Sequence, residues 1–511
     1  MIHKKMNLLN QKKPSDIPLE YRLRSSAEYK IMSAGNQSDQ PVLILSFPLK
    51  LVYINQFWKP VLDFFTTHDF FSLEQIAENL PEISQQQVEF FLNDLVRKGF
   101  FEQRGFPFIK DDDLPFVSII IPVRNRPQDI SACLKSLEKL DYPEDKKEII
   151  VVDDASDDNT PEIVKNFSGV RLIPLTEHSQ ASFCRNRAAQ AAKGDILAFI
   201  DSDCLADTSW LRELVPAFRD ESLGALGGLV DSYYSEKKLD QYEKVKSALK
   251  IGSWFKRSME DEKFFYVPTC NFLVRREIFL KLEGLKEELH VGEDVDFCWR
   301  LQDSGSMLEY RPAGRVFHKH RNSPLPFCSR RFDYGTSEPL LQKLHPDRIK
   351  KLYLPPNESL FWMLLPLSLF FKSIMLLILC IGIFTADSLN RYTKLQKRKL
   401  PIGFFTICKA VIRSYLSFLY HCCSFMSRYY LILAILFLPF VPKFSAVIFC
   451  MHLTAGIAEY RIKEADMNLF IFLFYFTLEQ LSYQAGVWWG CIRHKNINPL
   501  LPRVVHRRDK I

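Results

Sequence analysis

Three apolar segments in the middle of the chain each end in polar or acidic residues. They are FVSIIIPVRN (116–125), KEIIVVDDAS (147–156) and DILAFIDSD (195–203). Continuous β-branched runs of this length are typical of strands buried on both faces, and the segments between them have helical periodicity. The alternation predicts an open α/β sheet over residues 114–340, and ligands bind to such sheets at the carboxyl ends of the strands.

A shorter pattern precedes this region. The segments VLILSF and LKLVYIN alternate around Pro48-Leu49 and predict a hairpin, and three segments with helical periodicity follow it. Ser72 and Ser84 stand where helix N-caps are expected, and Gly99 closes the last helix. We expect a small winged-helix-like domain over residues 41–106, preceded by an N-terminal extension over 1–40.

The charge of that domain disfavours nucleic acid as a partner. Acidic side chains outnumber basic ones between residues 41 and 104, and the helix that begins at Ser84 presents glutamines and a glutamate. Because phosphate backbones bind basic surfaces, no nucleic-acid partner is expected. A peptide or protein partner is favoured instead, bound along the hairpin edge by strand addition.

Residues 359–490 are strongly apolar. They contain four long hydrophobic segments, at 360–384, 402–425, 429–449 and 467–490. The first and third are long enough to cross a bilayer, and the fourth is weakened as a span by Glu479-Gln480. The second contains internal cations and is typical of an interfacial helix. These helices are therefore expected to associate with a membrane, and a soluble helix bundle is the alternative.

The distribution of charge also indicates a membrane surface. The formal net charge is +7, and the densest basic clusters, 391–400 and 503–511, flank the apolar segments. Such clusters are typical of contact with anionic headgroups on the cytoplasmic side. Because the N-terminus has no secretory signal, we expect a cytosolic catalytic domain at the cell membrane and a basic tail over 491–511. A single crossing by 360–384 would leave residues 391–399 outside, so that segment re-enters at Pro366 or lies in the headgroup layer.

The clearest chemical signal is the pair Asp201 and Asp203, which flank Ser202 directly after the apolar run DILAFI. Two carboxylates at a strand end can hold Mg²⁺ or Mn²⁺, which take oxygen ligands, against a diphosphate. The cation would then neutralise the leaving group. A solvated turn is the alternative interpretation of an isolated Asp-x-Asp sequence.

Polar residues after the other two strands extend this candidate site. Carboxylates at those strand ends can accept hydrogen bonds from a base or from ribose hydroxyls. The residues concerned are Pro122, Arg124, Asn125, Asp153 and Asp154. The pair Arg185-Asn186 follows on a helix, where Arg185 either contacts a diphosphate or pairs with Asp195.

Two downstream stretches add candidates for acid–base and metal chemistry. Glu293-Asp294 begins a helix, and adjacent carboxylates raise one another's pKa, which suits a general base. Favourable charge at a helix N-terminus is the alternative. The stretch RVFHKHR (315–321) supplies His318 and His320, whose neutral imidazoles are suitable metal ligands, although either histidine alone would be interpreted as structural.

The ordered motifs FVSIIIPVRNR, IIVVDDASDDNT, CRNRAAQAAKGDILAFIDSD, TCNFLVRREIF and GEDVDFCWRL resemble those of family 2 glycosyltransferases with the GT-A fold. The resemblance covers residues 116–320 and implies a divalent cation and an inverting transfer. It implies Asp153 at the base, Asp201 and Asp203 at the ribose and metal, Asp294 as general base and His318 as a further metal ligand. The remaining expected substrate contacts are Pro122, Arg124, Asn125, Asp154, Arg185, Asn186, Ser202, Asn271, Glu293 and Arg300. Cys184 stands where relatives commonly have alanine, a small-for-small change.

The N-terminal domain is similar to PqqD-like peptide chaperones. Its fusion to such a transferase with a hydrophobic C-terminal region resembles the mycofactocin glycosyltransferases. This resemblance implies a UDP-sugar donor and a peptide-derived redox cofactor as the acceptor, with glucose transferred from UDP-glucose to build a β-linked oligosaccharide.

Two other functions remain open at this point. A membrane-associated family 2 transferase could instead act on a lipid or polysaccharide acceptor, and a non-enzymatic chain could be a membrane-tethered winged-helix regulator. The intact strand-end carboxylates and the acidic N-terminal domain disfavour the regulator. A nicotinamide-dependent oxidoreductase is disfavoured because no GxGxxG sequence follows the first strand.

Overall fold

A computed structural model of the chain describes residues 18–34, 37–46, 48–105, 109–258, 265–348, 350–398, 400 and 402–505. The described residues form two compact units. The sheet unit comprises Gly105–Arg348 and Tyr460–Ile497. The helical unit comprises Leu19–Arg104, Ile349–Glu459 and the residues from Asn498 onward.

The strands are numbered in chain order. They are β1 (Glu20–Leu23), β2 (Ala27–Ala34), β3 (Gln37–Ser46), β4 (Leu49–Tyr53), β5 (Phe71–Ser72), β6 (Phe101–Arg104), β7 (Val117–Val123), β8 (Lys147–Asp153), β9 (Val170–Pro174), β10 (Ile196–Ile200), β11 (Cys204–Ala206), β12 (Leu223–Gly227), β13 (Val230–Ser232), β14 (Lys256–Arg257), β15 (Asn271–Arg275), β16 (Met307–Tyr310), β17 (Val316–His318), β18 (Lys351–Tyr353) and β19 (Arg503–Val505).

The α-helices are numbered in the same way. They are α1 (Lys59–Asp63), α2 (Leu73–Asn79), α3 (Gln85–Lys98), α4 (Pro127–Leu137), α5 (Thr160–Lys165), α6 (Gln180–Ala191), α7 (Trp210–Leu214), α8 (Lys238–Lys246), α9 (Arg276–Lys281), α10 (Glu293–Asp303), α11 (Pro324–Leu344), α12 (Pro356–Phe370), α13 (Ile374–Lys397), α14 (Phe404–Phe437), α15 (Pro442–Ile462) and α16 (Leu469–His494). Short 3-10 helices lie at Gln56–Trp58, Phe64–Thr66, Asp111–Asp113, Glu144–Lys146, Val215–Arg219, Pro346–Arg348 and Asn498–Leu500.

The sheet unit is built on an eight-stranded mixed sheet with the order β14-β16-β12-β15-β10-β7-β8-β9. The strands β10, β7, β8 and β9 run parallel, whereas β15 runs antiparallel to both β10 and β12. Ile119 packs with helix α4 on one face and Ile120 with helix α6 on the other, so β7 is buried on both faces as its apolar sequence predicts. The expected α/β fold of the GT-A type is confirmed.

A second, three-stranded sheet with the order β11-β17-β13 lies after the carboxyl end of β10. Cys204 of β11 pairs with His318 of β17, and Ser232 of β13 pairs with the same histidine from the other side. The residues that directly follow Asp201 and Asp203 are therefore fixed beside His318, although more than a hundred residues separate them in sequence.

Helices α11 and α16 are in backbone contact within the sheet unit. A Cβ atom added to Gly486 would lie 2.0 Å from the carbonyl oxygen of Phe332, and one added to Gly335 would lie 2.2 Å from that of Tyr483. Glu479, which weakens 467–490 as a membrane segment, is buried and contacts Tyr242 and Arg331. The polar face of α16 is thus directed into the protein.

The helical unit begins with two three-stranded sheets, β5-β1-β6 and β2-β3-β4, packed with helices α1 to α3. The expected hairpin is present as the antiparallel pair β3 and β4. Ser72 and Ser84 form capping boxes, and Gly99 ends α3 with a left-handed backbone, as the sequence predicts. Strands β1 and β2 lie before residue 41, within the segment expected to be an extension, and residues 1–17 of that segment are outside the described residues.

The apolar helices of this unit differ from the expected segments. The segment 360–384 is not one helix: α12 ends at Phe370, Lys372 has a φ of 49°, and α13 begins at Ile374. The turn lies five residues after Pro366, which α12 accommodates.

The next two expected segments are also corrected. The interfacial segment 402–425 is part of a single 34-residue helix, α14, and a span over 429–449 is wrong because α14 ends at Phe437 and α15 begins at Pro442. By length and composition, α13 and α14 are the two described helices apolar enough to cross a membrane. Of the expected basic tail, residues 503–505 form β19, which pairs with β18, and 506–511 lie outside the described residues.

Candidate active site

The carboxyl ends of β7, β8 and β10 are brought together by their parallel pairing. Asn125 links the first two loops: its backbone N–H donates to Ser156 Oγ (2.9 Å), and its Oδ1 accepts from the backbone N–H of Asp157 (2.8 Å). The φ of Asn125 is 51°, a left-handed conformation that asparagine adopts more readily than most residues. Asn125 therefore organises the edge at which ligands of α/β sheets bind.

Asp153 and Asp154 are both buried and both accept hydrogen bonds from the protein. Asp153 accepts from the backbone N–H (3.2 Å) and hydroxyl (2.5 Å) of Ser156. Asp154 accepts from the backbone N–H groups of Ser179 (2.6 Å) and Gln180 (3.1 Å), at the start of α6. Both carboxylates thus organise the backbone at the sheet edge, and their expected contacts with a substrate stay predictions.

Arg185 lies at the centre of the site and is buried. Its guanidinium donates to Asp201 Oδ1 at 2.5 Å and to Glu293 Oε1 at 3.3 Å. Burial opposes the charge, but Asp201 and Glu293 outweigh it and raise the pKa of Arg185 above its usual value, so the cation persists. The observed partners are therefore Asp201 and Glu293, rather than the Asp195 considered from the sequence.

Asp203 is buried and surrounded by basic groups. Arg126 donates to its Oδ2, Arg321 lies 3.5 Å from the same oxygen, and His318 Nε2 lies 3.6 Å from Oδ1. Burial alone would raise the pKa of Asp203, but His318, Arg126 and Arg321 together hold it below the usual value. Asp203 is thus a carboxylate at neutral pH, in a site that attracts anions as well as cations.

The residues present are compatible with a divalent cation. Ligand atoms of Asp203, Cys204 and His318 all lie within 4.8 Å of one another, so they could hold a metal ion. The carboxylate and imidazole suit Mn²⁺ or Mg²⁺, whereas burial raises the pKa of the Cys204 thiol and keeps it protonated. Asp201, expected as a further ligand, is outside this group, and its Oδ1 accepts from Arg185. Asp203 and His318 are therefore the ligands of this group that fit, and Asp201 as a ligand stays a prediction.

Asp294 lies in the first turn of α10. The preceding Gly292 has a φ of 88°, and a Cβ there would lie 3.0 to 3.3 Å from Leu341 and Ser337 of α11, so the start of α10 is packed tightly. Burial, and then the like charge of Glu293, raises the pKa of Asp294 to about 7. A carboxylate with a pKa near neutral is suited to accept a proton from a substrate hydroxyl.

Three expected substrate contacts are instead directed into the scaffold. Asn271 is fully buried, accepts from Trp210 Nε1 (2.8 Å) and donates to the carbonyl oxygens of Leu229 (3.0 Å) and Gly314 (2.8 Å). The Asn271 side chain has no exposed surface that a substrate could contact. Its role is to hold the loops around β13.

Arg300 and Asn186 are likewise occupied. Arg300 donates to Asp296 and to the carbonyl oxygens of Leu282 and Gly284, and Asn186 donates to the carbonyl of Leu285 (2.8 Å) and accepts from its N–H (2.9 Å). Both side chains fix the loop that precedes α10. Ser202 and Pro122 are buried at the sheet edge, and Arg124 has a buried Nε without a hydrogen-bond partner in the described part of the chain.

Sequence reasoning missed several residues that contact the site. Arg126 and Arg321 pair with Asp203, and Arg330 of α11 lowers the pKa of Asp294 by its charge. Arg126 stands in the stretch PVRNR, where a second cation one residue beyond Asn125 was the available signal. No local pattern links Arg330 to Asp294, because α11 follows the strands that form the site.

The sequence of this chain is similar to those of known glycosyltransferases. The model of glycosyl transferase family 2 matches residues 118–283. A pre-mycofactocin glycosyltransferase of Mycobacterium tuberculosis is 26% identical over 400 residues, which are 76% of this chain and 82% of that protein. The glycosyltransferase AglE of Haloferax volcanii is 31% identical over 222 residues, which are 40% of this chain and 71% of that protein.

Among solved structures, the mannosyltransferase PcManGT of Pyrobaculum calidifontis is 18% identical and has a TM-score of 0.36, with 60% of this chain and 88% of that chain covered. The motifs, the sheet topology and the relationship to AglE together show that this chain belongs to glycosyl transferase family 2.

Proposed function

We propose that this glycosyltransferase moves a hexose, with inversion, from a UDP-sugar to a peptide-derived redox cofactor of the mycofactocin type. Glucose from UDP-glucose is the proposed donor, and a β-linked oligosaccharide is the proposed product. The observation that carries this proposal is the extent of the similarity to the pre-mycofactocin enzyme. The 400 aligned residues reach well beyond the matched transferase segment 118–283, so the likeness includes parts of the chain outside the donor site.

The proposed reaction is a single displacement. Asp294 accepts the proton of the acceptor hydroxyl while the hydroxyl oxygen attacks the anomeric carbon of the donor. The bond between that carbon and the diphosphate oxygen breaks from the opposite side, so the configuration inverts. The pKa of about 7 at Asp294 leaves a substantial fraction of the carboxylate ionised at neutral pH, and no second carboxylate nucleophile is required.

The departing diphosphate needs positive charge, and this chain supplies it around Asp203. Arg126 and Arg321 both approach the Asp203 carboxylate, and Arg185 approaches Asp201 next to it. Asp203 and His318 would hold the divalent cation, which when bound stabilises the charge of the leaving group. Preorganised charges of this kind are the largest contribution in many transfer reactions.

The N-terminal module, residues 19–104, is the proposed acceptor-recognition element. Among the described residues, β4 pairs only with β3, so one edge of β4 has no strand partner. Tyr53, the last residue of this strand, and Phe57, in the 3-10 helix that follows, have exposed aromatic side chains. A peptide segment of the acceptor can add to such an edge through its backbone, as the similarity to PqqD-like chaperones implies.

The proposed location is the cytoplasmic side of the cell membrane. Helices α13 and α14 are long and apolar enough to enter a bilayer, and their exposed side chains are mostly large and hydrophobic. The donor site would then remain in the cytosol, where UDP-sugars are made available to the enzyme.

The test is a transfer assay with the full-length protein in mild detergent. UDP-glucose, UDP-galactose, UDP-N-acetylglucosamine and GDP-mannose are compared, each with Mn²⁺, Mg²⁺ or excess chelator, and with the peptide-derived cofactor as acceptor. We expect product from UDP-glucose with a divalent cation, and an anomeric proton coupling in the product that is typical of a β-linkage. Transfer from UDP-glucose to an α-linked product would contradict the inverting mechanism.

A lipid or polysaccharide acceptor is the second candidate, and the exposed apolar helices favour it. The same assay distinguishes the two when membrane lipid extract or oligosaccharide replaces the peptide-derived acceptor. Sugar incorporated into lipid or polysaccharide alone would exclude the mycofactocin-type acceptor and leave the transferase assignment intact.

A further inference from the structure

Helices α12 and α13 form a tight hairpin inside the helical unit. Three residues, 371–373, separate them, and Lys372 in this turn has a left-handed backbone. Near the other end of the pair, Arg391 of α13 donates to Glu358 of α12 at 3.1 Å. The two helices are therefore antiparallel, and the start of α12 and the end of α13 lie on the same side.

The open end of the hairpin, its base, is polar and is attached to the N-terminal module. Glu358 and Asp387 are buried there and pair with Arg391, and Ser414 of α14 donates to Glu358 at 2.8 Å. Val42 and Ile44 of β3 pack with a neighbouring cluster that includes Leu400, Ile402 and Ile407. The base of the hairpin therefore lies next to the N-terminal module, whose sequence is typical of a water-soluble domain.

The closed end of the hairpin, its tip, has the opposite character. Its large apolar side chains are 65–77% exposed, namely Leu369, Phe370, Phe371, Ile374 and Met375. Lys372 is the one charged residue among positions 369–375. Contiguous exposure of this kind is rare in soluble monomers and marks a surface that is covered by a partner or by lipid.

The lengths of the two arms decide how far such a hairpin reaches. At a rise of about 1.5 Å per residue, the 15 residues of α12 extend roughly 22 Å. The apolar part of α13, from Ile374 to the residue before Asp387, extends about 20 Å. The full 24 residues of α13 are long enough to cross a membrane, but the uncharged lengths of both arms fall short of the hydrocarbon core of roughly 30 Å. A crossing by α13 would therefore place Asp387 and Arg391 in or near the hydrocarbon region.

We propose that α12 and α13 form a re-entrant hairpin that inserts its tip into one leaflet of a lipid bilayer and returns its base to the side from which it entered. The inference rests on the membrane association proposed above and is independent of the sugar and the acceptor. The exposed cations Lys394, Lys397 and Arg398 at the end of α13 lie at the base, where they meet anionic headgroups.

A re-entrant hairpin keeps the basic residues at the end of α13 on the cytoplasmic side, whereas a single crossing would not. With α13 as a complete span, the basic residues 391–398 would lie on the far side of the membrane from the N-terminal module, against the tendency of basic clusters to stay on the cytoplasmic side. With a hairpin, the cluster and the module stay on one side. The hairpin also keeps the buried Glu358, Asp387 and Arg391 away from the bilayer centre, where charges are costly.

The decisive experiment compares two single-cysteine positions in the full-length protein, in a background with the exposed Cys450 replaced by serine. Asn390→Cys, near the end of α13, reports on the base, and Glu78→Cys, exposed on α2, reports on the module. Sealed membrane vesicles from expressing cells are treated with a membrane-impermeant maleimide before and after permeabilisation. The background protein supplies the labelling blank.

The hairpin predicts that both cysteines are labelled, or both protected, in the same vesicles. Opposite accessibility would show that α13 crosses the membrane and would overturn the proposal while leaving membrane association intact. Recovery of the protein in the soluble fraction, with no vesicle binding, would overturn both. A transfer assay on the same preparation reports on the enzymatic assignment separately.

A second measurement tests the tip. An environment-sensitive dye on Lys372→Cys should brighten and shift to the blue when purified protein meets vesicles of anionic and zwitterionic phospholipid, and the same dye on Glu78→Cys should not. The same change without vesicles, growing with protein concentration, would identify a second copy of the chain as the occupant and refute insertion.

A matched pair of substitutions completes the test. Phe370→Glu at the tip should weaken vesicle partitioning by about 100-fold, the size expected for a charge placed in the hydrocarbon region. Phe405→Glu, an equally exposed phenylalanine at the start of α14 near the base, should have a much smaller effect. Because both side chains are exposed, neither change is expected to unfold the protein, and equal effects would contradict the assigned tip.

Discussion

The Arg185 guanidinium lies 2.5 Å from Asp201 Oδ1 and bridges that carboxylate to Glu293, the neighbour of Asp294. One buried cation therefore joins the strand-end acidic cluster to the helix that carries the proposed base. The two neighbouring carboxylates differ in their surroundings: His318, Arg126 and Arg321 lower the pKa of Asp203, whereas burial and the charge of Glu293 raise the pKa of Asp294 more than Arg185 lowers it. Each role makes a measurable prediction.

Replacing the proposed base should separate catalysis from binding. Asp294→Asn is expected to lower the transfer rate by about 10²- to 10⁴-fold, the usual contribution of a general base, and to leave UDP affinity unchanged by calorimetry. Glu288→Gln, an exposed carboxylate in the loop before α10, is the control and should keep full activity. Full activity of the Asp294 variant would remove that residue from its role.

Asp294→Asn, which should lower the transfer rate, should increase the stability of the folded protein at high pH. The folded-state pKa of Asp294 is raised to about 7 from an ordinary 3.8, so the folded state holds its proton more tightly than the unfolded state. Its contribution to stability is therefore lost as the pH rises from about 4 to about 7. Asp294→Asn should raise the melting temperature at pH 8 and change it little at pH 4. A lower melting temperature at pH 8 would argue that the carboxylate has a structural partner.

The pH dependence of transfer should move in opposite directions for two neighbouring substitutions. Burial and the charge of Glu293 raise the pKa of Asp294, and Arg330 lowers it. Activity should therefore rise with pH towards a plateau above pH 7. Glu293→Gln should shift this limb to lower pH and Arg330→Gln to higher pH, as measured from kcat/KM profiles. Shifts of the same sign would show that Asp294 is not the group that titrates.

Metal affinity should depend on His318 more than on Cys204. His318→Ala is expected to weaken Mn²⁺ binding to the enzyme in the presence of UDP. Loss of an outer-sphere partner typically lowers metal affinity by about 10- to 100-fold, and loss of a direct ligand should cost at least as much. Electron paramagnetic resonance of free Mn²⁺ gives the affinity without an activity assay. Cys204→Ser, in the same cluster, should have little effect because its buried thiol stays protonated. Equal losses would make the thiol a ligand.

Asn271 should affect stability and leave donor binding unchanged. Asn271→Ala removes the acceptor of the buried Trp210 N–H and two donors to backbone carbonyls. An unsatisfied buried group typically costs about 1–3 kcal/mol, so the free energy of unfolding should fall by at least that amount. The KM for the UDP-sugar should remain unchanged in the folded protein. A raised KM with unaltered stability would restore the substrate contact that the sequence suggested.

The contact of α11 with α16 should not tolerate a methyl group. Gly486→Ala places a Cβ where the nearest atom is the Phe332 carbonyl oxygen, so overpacking is expected to destabilise the protein by about 1–3 kcal/mol or more. Gly382→Ala, in helix α13 with no neighbouring atom within 4 Å, is the control and should stabilise its helix by up to about 1 kcal/mol. Thermal unfolding of the full chain in detergent compares the two. Equal melting temperatures would contradict the close crossing.

The local features of this protein are readable from its sequence. Continuous apolar runs indicate buried strands, so β7, β8 and β10 and the acidic residues after them were predictable. Ser72 and Ser84 were predictable as helix caps because a cap depends on a few neighbouring residues. The adjacent Glu293 makes Asp294 a candidate base in the sequence, but burial, which the sequence does not show, contributes more to its raised pKa than Glu293 does.

Only the tertiary structure decided which partners the polar side chains take. Arg126 pairs with Asp203, and Asn271 and Arg300 turn into the scaffold, because a side chain's partner depends on which distant strand or loop folds against it. The helix ends at Phe370 and Phe437 could not be predicted from the sequence either. A hydrophobic run indicates burial or lipid contact, but it does not indicate where the backbone turns. Patterns with a period of a few residues are fixed by the sequence alone, whereas contacts across a hundred residues are fixed by the fold.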